Sequence, residues 1–393
     1  MKSLQQHVVR SLLTVLVLLA GNFSSKCQED SCGLQFSLLT CTPGEELYSS
    51  FGHSAIRFIN HQNGSDIVFN YGTFDFDDPD FYSKFIRGKL LYFVSMESFQ
   101  DFMLEYQYFH RGVTEQVLNL SCAEKDQLLY ALYDNAREEN KYYKYDFNYD
   151  NCTTRLRDIV QQVCQDSFKT KNILPEKNIS FRNLIHEYLD KGGQSWSKLG
   201  IDILLGAPLD KHVTNQEAMF LPDYLMKAFD STNIGNKALV SKKQVLLPYT
   251  PSPTHTPLLS PGIIFGILFV LIAFLSSKGF KKYAGVLRVF DALFFFICGG
   301  IGLLLVFMWT DTDHAMCKNN MNLIWAIPSH SIMAFFVSGR RQWVRFYFRI
   351  IAIISLLLIL SWFFLPQAIN TALLPIAGIA LIRSFLISKT KEK

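Results

Sequence analysis

Two segments about a hundred residues apart contain residue types that suit thiol chemistry. In the first, His53 opens a strand-like apolar run, and in the second, Cys152 follows Asn151 and opens a helix-like run. A thiol nucleophile needs a nearby imidazole to hold the thiolate and carry its proton, and a third polar group usually orients that imidazole. We therefore predict Cys152 as the nucleophile, His53 as the base and Asn70 as the orienting residue, with Asp66 or a backbone carbonyl as alternatives to Asn70.

The position of Cys152 distinguishes it from a structural cysteine. The chain has eight cysteines, and exported cysteines usually form disulfides. Asn151 is a strong N-cap candidate, and it would place Cys152 in the first helical turn, where the helix dipole favours the thiolate. Cys164 lies 12 residues further on, which is about 18 Å along a helix, so these two thiols cannot pair. The disulfide connectivity of the remaining cysteines cannot be read from the sequence.

Other charged residues have two interpretations each. Arg57 and Arg155 are candidates to bind the phosphate head group of a lipid, and they are also able to form structural salt bridges. The segment 311–317 contains Asp, His and Cys, but their spacing matches no metal site. We predict neither a metal nor a cofactor.

The elements that would position these residues indicate an α+β domain. Alternating apolar and polar residues, with many β-branched and aromatic ones, predict strands at residues 34–40, 53–59, 66–71, 90–95 and 113–120. Helical periodicity predicts helices at residues 99–109, 123–138 and 153–165, and several pieces between 181 and 229. Ser121 and Glu124 form a capping box at the start of the second helix.

The last third of the chain predicts a membrane domain. Apolar segments occur at residues 262–275, 286–309, 323–337, 350–365 and 368–387, and we predict about five transmembrane helices. The third segment is short and is a candidate for a re-entrant piece. We place domain boundaries at 1–26 (signal peptide or signal anchor), 27–247 (thiol-enzyme domain), 248–261 (Pro-rich linker), 262–388 (membrane helices) and 389–393 (cytoplasmic tail).

Charge predicts how this domain is oriented. Residues 257–393 hold 13 of the 38 Lys and Arg but 4 of the 34 Asp and Glu, and most of these basic residues follow the first, third and fifth apolar segments. By the positive-inside rule those loops are cytoplasmic, which places His53 and Cys152 outside. The N-terminal layout of Lys2 and Arg10 before a short apolar run indicates an export signal and agrees. The front of the chain is mildly acidic, so we predict no nucleic-acid partner.

Several motifs resemble those of a known family. Residues 37–42, 48–58, 70–76, 85–89 and 145–157, followed by the apolar segments, resemble the Bacteroidetes lipoprotein N-acyltransferases called Lnb. A histidine before a cysteine at a helix start is similar to the circularly permuted, NlpC-like branch of papain-type folds, which includes lecithin retinol acyltransferase. One departure is that the vertebrate acyltransferase has a second histidine on the following strand, where this chain offers Asn70.

The resemblance implies a membrane-bound acyltransferase of the bacterial inner membrane, with its catalytic domain facing the periplasm. It would take a fatty acyl chain from a phospholipid donor, hold it as a thioester on Cys152, and transfer it to the α-amino group of a diacylated lipoprotein. The backbone N–H of Cys152 and a donor from Tyr48 or Ser49 would then stabilise the oxyanion. Arg57 and Arg155 would belong to the substrate-binding site.

Three alternatives stay open at this stage. A cell-wall amidase or peptidase would use the same dyad without needing membrane helices. A cysteine phospholipase would differ only in using water as the acyl acceptor. A non-enzymatic membrane receptor would make Cys152 one half of a disulfide.

Overall fold

A computed structural model describes residues 32–249, 259–277, 283–339 and 341–390. The predicted signal at 1–26 lies outside the described residues, as does most of the predicted linker at 248–261.

Among the described residues, seven strands form one antiparallel sheet: Leu34–Cys41 (β1), His53–Asn60 (β2), Ser65–Thr73 (β3), Leu91–Ser98 (β4), Val113–Leu118 (β5), Tyr142–Lys144 (β6) and Val240–Leu247 (β10). Their order across the sheet is β10-β5-β1-β2-β3-β4-β6. A smaller sheet contains Phe168–Thr170 (β7), Thr232–Ile234 (β8) and Lys237–Ala238 (β9). The five predicted strands are confirmed as β1 to β5. The pairings of β6 and β10 at the two edges were not predicted.

Helices cover this sheet and extend beyond it. The helices of the first domain are Phe81–Ile86 (α1), Phe99–Tyr108 (α2), Cys122–Asn135 (α3), Cys152–Cys164 (α4), Phe181–Lys191 (α5), Ser195–Leu204 (α6), Asn215–Ala218 (α7) and Pro222–Ser231 (α8). The predicted helices at 99–109, 123–138 and 153–165 are confirmed as α2, α3 and α4. The Ser121–Glu124 capping box is also confirmed. The α+β class therefore follows from the sequence pattern.

Alternation along β2 and β3 gives each face of the sheet its own core. Ile56 and Phe69 point to the face where Leu156 of α4 is buried. Ala55 and Val68 point to the opposite face, which Phe102 of α2 covers. Because side chains alternate along a strand, His53 and Asn70 belong to this second face, at the end of the sheet where α4 begins.

One disulfide links Cys32, just before β1, to Cys122, the first residue of α3. Cys152 and Cys164 are both free, as are Cys41, Cys298 and Cys317. The prediction that the two thiols on α4 do not pair is confirmed. The receptor interpretation requires Cys152 to form a disulfide, and in this structure it does not.

The second domain is helical and strongly apolar. Its helices are Pro261–Leu275 (α9), Ala284–Thr310 (α10), His330–Met333 (α11), Gln342–Ser361 (α12) and Leu374–Ser388 (α13). Within the described residues, three apolar stretches are long enough to cross a membrane: Ala284–Thr310, Gln342–Phe364 and Thr371–Ser388. Helix α9 is apolar but shorter.

The third predicted segment, residues 323–337, is not one continuous helix. It consists of the 3-10 turns Met321–Ile324 and Ala334–Phe336 on either side of α11. Pro328 lacks the N–H that a helix through this point would need. Irregular backbone at membrane depth must be buried in protein, and Gly299 and Gly302 of α10 provide the close contact that buries it here. The re-entrant alternative fits this geometry better than a spanning helix.

Polar side chains tie the two domains together around the buried Asp202 of α6. Its carboxylate accepts hydrogen bonds from Arg182 Nη1 at 2.6 Å, His186 Nε2 at 2.8 Å and Asn370 Nδ2 at 2.8 Å. Asn370 lies in the loop between the membrane helices α12 and α13. The carbonyl of Asp202 accepts a further bond, at 2.8 Å, from Asn322. The first domain is therefore fixed to loops of the second.

We expect Gly302→Leu to prevent stable folding of the membrane domain. A Cβ at Gly302 would lie 2.0 Å from the carbonyl oxygen of Ala326, so the irregular segment would have to move. Gly300→Leu is the matched control, because a Cβ there meets nothing within 4 Å. Thermal unfolding in detergent should show a lower Tm for Gly302→Leu alone. Equal Tm values for both variants would contradict this packing.

Candidate active site

Asn151 fixes the start of α4 and therefore the position of Cys152. Its Oδ1 accepts hydrogen bonds from the backbone N–H groups of Thr153 at 2.9 Å and Thr154 at 2.8 Å. Its own N–H donates to the Thr154 hydroxyl at 2.8 Å, which completes a capping box. Its Nδ2 donates to the carbonyls of Phe147 at 2.8 Å and Phe220 at 2.9 Å. The cap does not use the N–H of Cys152, which stays available at the helix end.

His53 is the first residue of β2, and the preceding backbone turns sharply to admit it. Gly52 has φ +80°, and a Cβ there would lie 2.7 Å from the carbonyl oxygen of Cys41. His53 Nε2 lies 2.6 Å from Oδ1 of Asn70, and Asn70 Nδ2 donates to Glu97 Oε1 at 3.0 Å. The second bond fixes the orientation of the amide, so Nε2 of His53 carries the hydrogen and Nδ1 is left for the thiol.

The thiol and the imidazole stabilise each other's charged forms. Burial raises the pKa of Cys152, but the charge and hydrogen bond of His53, the N–H of Ser54 and the Thr153 hydroxyl outweigh it and lower that pKa from 9.0 to about 7. Burial lowers the pKa of His53, yet the Cys152 thiolate and Asn70 outweigh it and raise that pKa above its usual 6.5. Cys152 therefore has the character of an activated nucleophile.

Two tyrosines and a glycine complete the surroundings of the thiol. Gly72 has φ +91°, and a Cβ there would lie 3.6 Å from Cβ of Cys152, 3.9 Å from Cε2 of Tyr145 and 4.0 Å from the hydroxyl oxygen of Tyr143. The Tyr143 hydroxyl is buried and has no hydrogen-bond partner among the described residues. The Cys152 thiolate is one of the groups that raise the pKa of Tyr143, after burial.

Two family models match this chain over separate parts. Residues 27–187 match the Lnb N-terminal periplasmic domain, and residues 253–393 match the Lnb transmembrane domain. The chain belongs to the Lnb family. Membership indicates a membrane protein of the lipoprotein N-acyltransferase type. No match was found among curated proteins or among solved structures.

The arginines predicted to bind substrate in this Lnb chain are engaged elsewhere. Arg57 donates to Asp66 at 2.8 and 2.6 Å and to Glu115 at 3.0 Å. Arg155 forms a bidentate pair with Asp150 at 2.6 and 2.9 Å. The structural salt-bridge interpretation accounts for the charge of both residues.

Tyr48 and Ser49, the two predicted sources of an oxyanion donor, lie in the 3-10 turn Leu47–Ser49. Ser49 donates its hydroxyl to the Glu46 carbonyl at 2.9 Å. Tyr48 is 73 % exposed. Tyr143 and Glu97 were not predicted, because β6 is only three residues long and Glu97 reaches the site through the β3–β4 pairing.

The segment at 311–317 connects domains in this structure. Asp313 pairs with Lys144 at 2.6 Å, and His314 Nε2 lies 3.2 and 3.1 Å from the carbonyl oxygens of Phe85 and Ile86. Across the described residues, no group of His, Cys, Asp and Glu is arranged to hold a metal ion.

We expect iodoacetamide to alkylate Cys152 in the folded protein with a midpoint near pH 7. The reactive species is the thiolate, and its population rises as pH rises through the lowered pKa of Cys152. His53→Gln removes the imidazolium that lowers this pKa and should move the midpoint upward by about one pH unit or more.

Alkylation is measured by peptide mass at each cysteine. Cys164 is the internal reference, because burial raises its pKa to about 12. A wild-type midpoint near pH 9 would contradict the proposed thiolate–imidazolium pair.

Proposed function

We propose that this protein transfers a fatty acyl chain from a membrane phospholipid, through a thioester on Cys152, to the α-amino group of the N-terminal diacylglyceryl-cysteine of a lipoprotein. The observation that carries the proposal is an activated Cys152–His53 pair in an Lnb chain whose first domain is fixed to membrane helices. By its signal and loop charges, the site faces the periplasm from the inner membrane.

In the first half-reaction, the Cys152 thiolate attacks the carbonyl carbon of a phospholipid ester. The carbonyl π electrons move to oxygen, and they return as the C–O bond to the glycerol oxygen breaks. The His53 imidazolium gives its proton to that departing oxygen. The products are a thioester on Cys152, a lysophospholipid and a neutral imidazole.

In the second half-reaction, the lipoprotein amine attacks the thioester carbonyl. Neutral His53 takes a proton from the attacking nitrogen, the C–S bond breaks and an amide forms. Cys152 leaves as the thiolate, which the newly protonated His53 stabilises, so the starting pair is restored. Asn70 and Glu97 keep the ring of His53 in one orientation through both steps.

The oxyanion of each tetrahedral intermediate needs preorganised donors. The N–H of Cys152 is one, because the Asn151 cap does not use it. We assign the hydroxyl of Tyr143 as the second, because it is buried, lacks a partner among the described residues and, like Cβ of Cys152, lies within about 4 Å of where a Gly72 Cβ would be. A donor that is satisfied only when negative charge develops favours the transition state over the ground state.

Replacing Cys152 by Ala should abolish acyl transfer while the protein still folds in the membrane. The assay incubates purified protein with phospholipid vesicles and a diacylated lipopeptide, and mass spectrometry follows a hydroxylamine-sensitive acyl adduct on Cys152. The expected products are a triacylated peptide and a lysophospholipid from the wild type alone.

Transfer by Cys152→Ala would overturn the mechanism. Release of free fatty acid with no acylated peptide would support a phospholipase. In a parallel incubation with a cell-wall peptide, cleavage without a fatty-acyl adduct on Cys152 would support an amidase.

Tyr143→Phe should slow thioester formation by about 10²- to 10³-fold, which is typical for loss of one oxyanion donor. It should not lower stability, because it removes a buried hydroxyl that has no partner. Tyr71→Phe is the matched control: its hydroxyl accepts a bond from Asn135 at 2.9 Å.

Tyr71→Phe should therefore lose about 1 kcal/mol of stability and keep the acylation rate. Stopped-flow acylation and urea unfolding measure the two effects. An unchanged acylation rate in Tyr143→Phe would remove Tyr143 from the site.

A further inference from the structure

A series of aromatic side chains leads from the thiol to the membrane side of the first domain. We call it the aromatic path and define it by Tyr145, Tyr92, Phe74, Phe81, Phe76 and Phe85. Tyr145 begins it beside Cys152 and stacks on Tyr92, with ring centroids 4.3 Å apart. Tyr92 contacts Phe74 at 5.2 Å.

The path continues into helix α1. The rings of Phe74 and Phe76 are 4.7 Å apart, and both contact Phe81 of α1, at 5.8 and 5.0 Å. Phe85, one turn further along α1, stacks on Phe81 at 6.1 Å. Each ring of the path therefore contacts at least one other ring of the path, and the series runs from Tyr145, near Cys152, to Phe85 in α1.

The far end of the path is attached to the membrane domain. The loop that follows the long helix α10 holds α1 in three ways: the N–H of Asp313 donates to the carbonyl of Arg87 at 2.9 Å, His314 Nε2 contacts the carbonyls of Phe85 and Ile86, and the His314 ring lies against Gly88. Helix α10 is long enough to cross the bilayer. Helix α1 therefore lies at the end of α10 where the loop charges predict the outer membrane surface.

The side chains at this end are apolar and open to their surroundings. Phe76 is 68 % exposed, Tyr82 77 % and Phe85 51 %, and Ile86 is also exposed. Contiguous exposed apolar surface marks an interaction site, and aromatic side chains are enriched where proteins meet the membrane interface. At the opposite end, Tyr145 is partly buried and lies close to Cys152.

We propose that the aromatic path binds the fatty acyl chain of the donor phospholipid, guiding it from the outer leaflet to Cys152. This inference rests on the proposed function and names the part of the chain that recognises its donor. The occupant is an acyl chain for two reasons. The path begins near Cys152 and ends at α1, which contacts the loop after the membrane helix α10. Its side chains are aromatic, and they offer an apolar surface to a hydrocarbon chain. A long chain would contact the whole path, and a short acyl group would contact only the Tyr145 end.

The test compares acylation of Cys152 by a long-chain phospholipid in vesicles with acylation by p-nitrophenyl acetate. The variant is Phe76→Ser/Phe85→Ser in the full chain, both at exposed positions, and its rate with p-nitrophenyl acetate reports whether the fold is kept. Loss of two aromatic contacts should reduce the rate of acylation from phospholipid at least about tenfold. The rate with p-nitrophenyl acetate should change less than about twofold, because the Cys152–His53 pair is untouched.

The control is Tyr108→Ser/Tyr130→Ser, which removes two exposed aromatics from α2 and α3, outside the aromatic path. It should keep both rates. A series of phospholipids with shorter acyl chains gives a second measurement: the wild-type rate should fall with chain length, and the rate of the path variant should depend on it much less.

Each result decides between interpretations. Equal loss on both substrates would mean damage to the catalytic pair and would overturn the aromatic path, as would full activity of the variant on long-chain phospholipid. If wild-type Cys152 is acylated by p-nitrophenyl acetate but by no phospholipid, the path proposal fails together with the choice of donor. If neither substrate acylates wild-type Cys152, the thioester mechanism itself fails.

Discussion

The position of the thiol depends on one buried amide, that of Asn151. Its oxygen binds the N–H groups of Thr153 and Thr154, which leaves the N–H of Cys152 for charge that develops on the substrate. Its nitrogen binds the carbonyls of Phe147 and Phe220, which come from the segment before α4 and from the turn before α8. Cys152 is thereby fixed both to the loop just before α4 and to a segment 69 residues further along the chain, so its geometry requires these two parts of the first domain to be packed together.

The second constraint is the attachment of the first domain to the membrane domain. The ion pair of Lys144 with Asp313 lies near the site, but both partners are exposed, and such pairs contribute little to stability. Asp202 and Arg182 are almost completely buried, and removing either charge would leave the other unpaired in the interior, which is strongly unfavourable. The buried cluster around Asp202 therefore provides the main attachment between the two domains. The exposed pair of Lys144 with Asp313 adds a weaker contact near α1.

The features that the sequence predicted well are those encoded locally. Alternation along β2 and the cap at Asn151 are each visible within a few residues, and both appear in the structure. Glu97 and Tyr143 reach the site only through the pairing of β3 with β4 and of β4 with β6, and no local pattern encodes that pairing. The segment 323–337 was predicted by hydropathy as a possible helix, but hydropathy does not register that Pro328 interrupts the backbone or that Gly302 allows close contact.

In the proposed mechanism one imidazole has to serve both half-reactions, and the contact of His53 with Asn70 bears on how it could do so. A carboxylate in contact with His53 would stabilise the imidazolium strongly and oppose release of its proton to the departing alcohol. Asn70 orients the ring with a neutral amide, and Glu97, whose own pKa burial raises, fixes the amide from its far side. His53 then stays acidic enough to protonate the alcohol and basic enough to take a proton from an attacking α-amino group. A neutral partner for His53 therefore suits both proton transfers of the proposed mechanism.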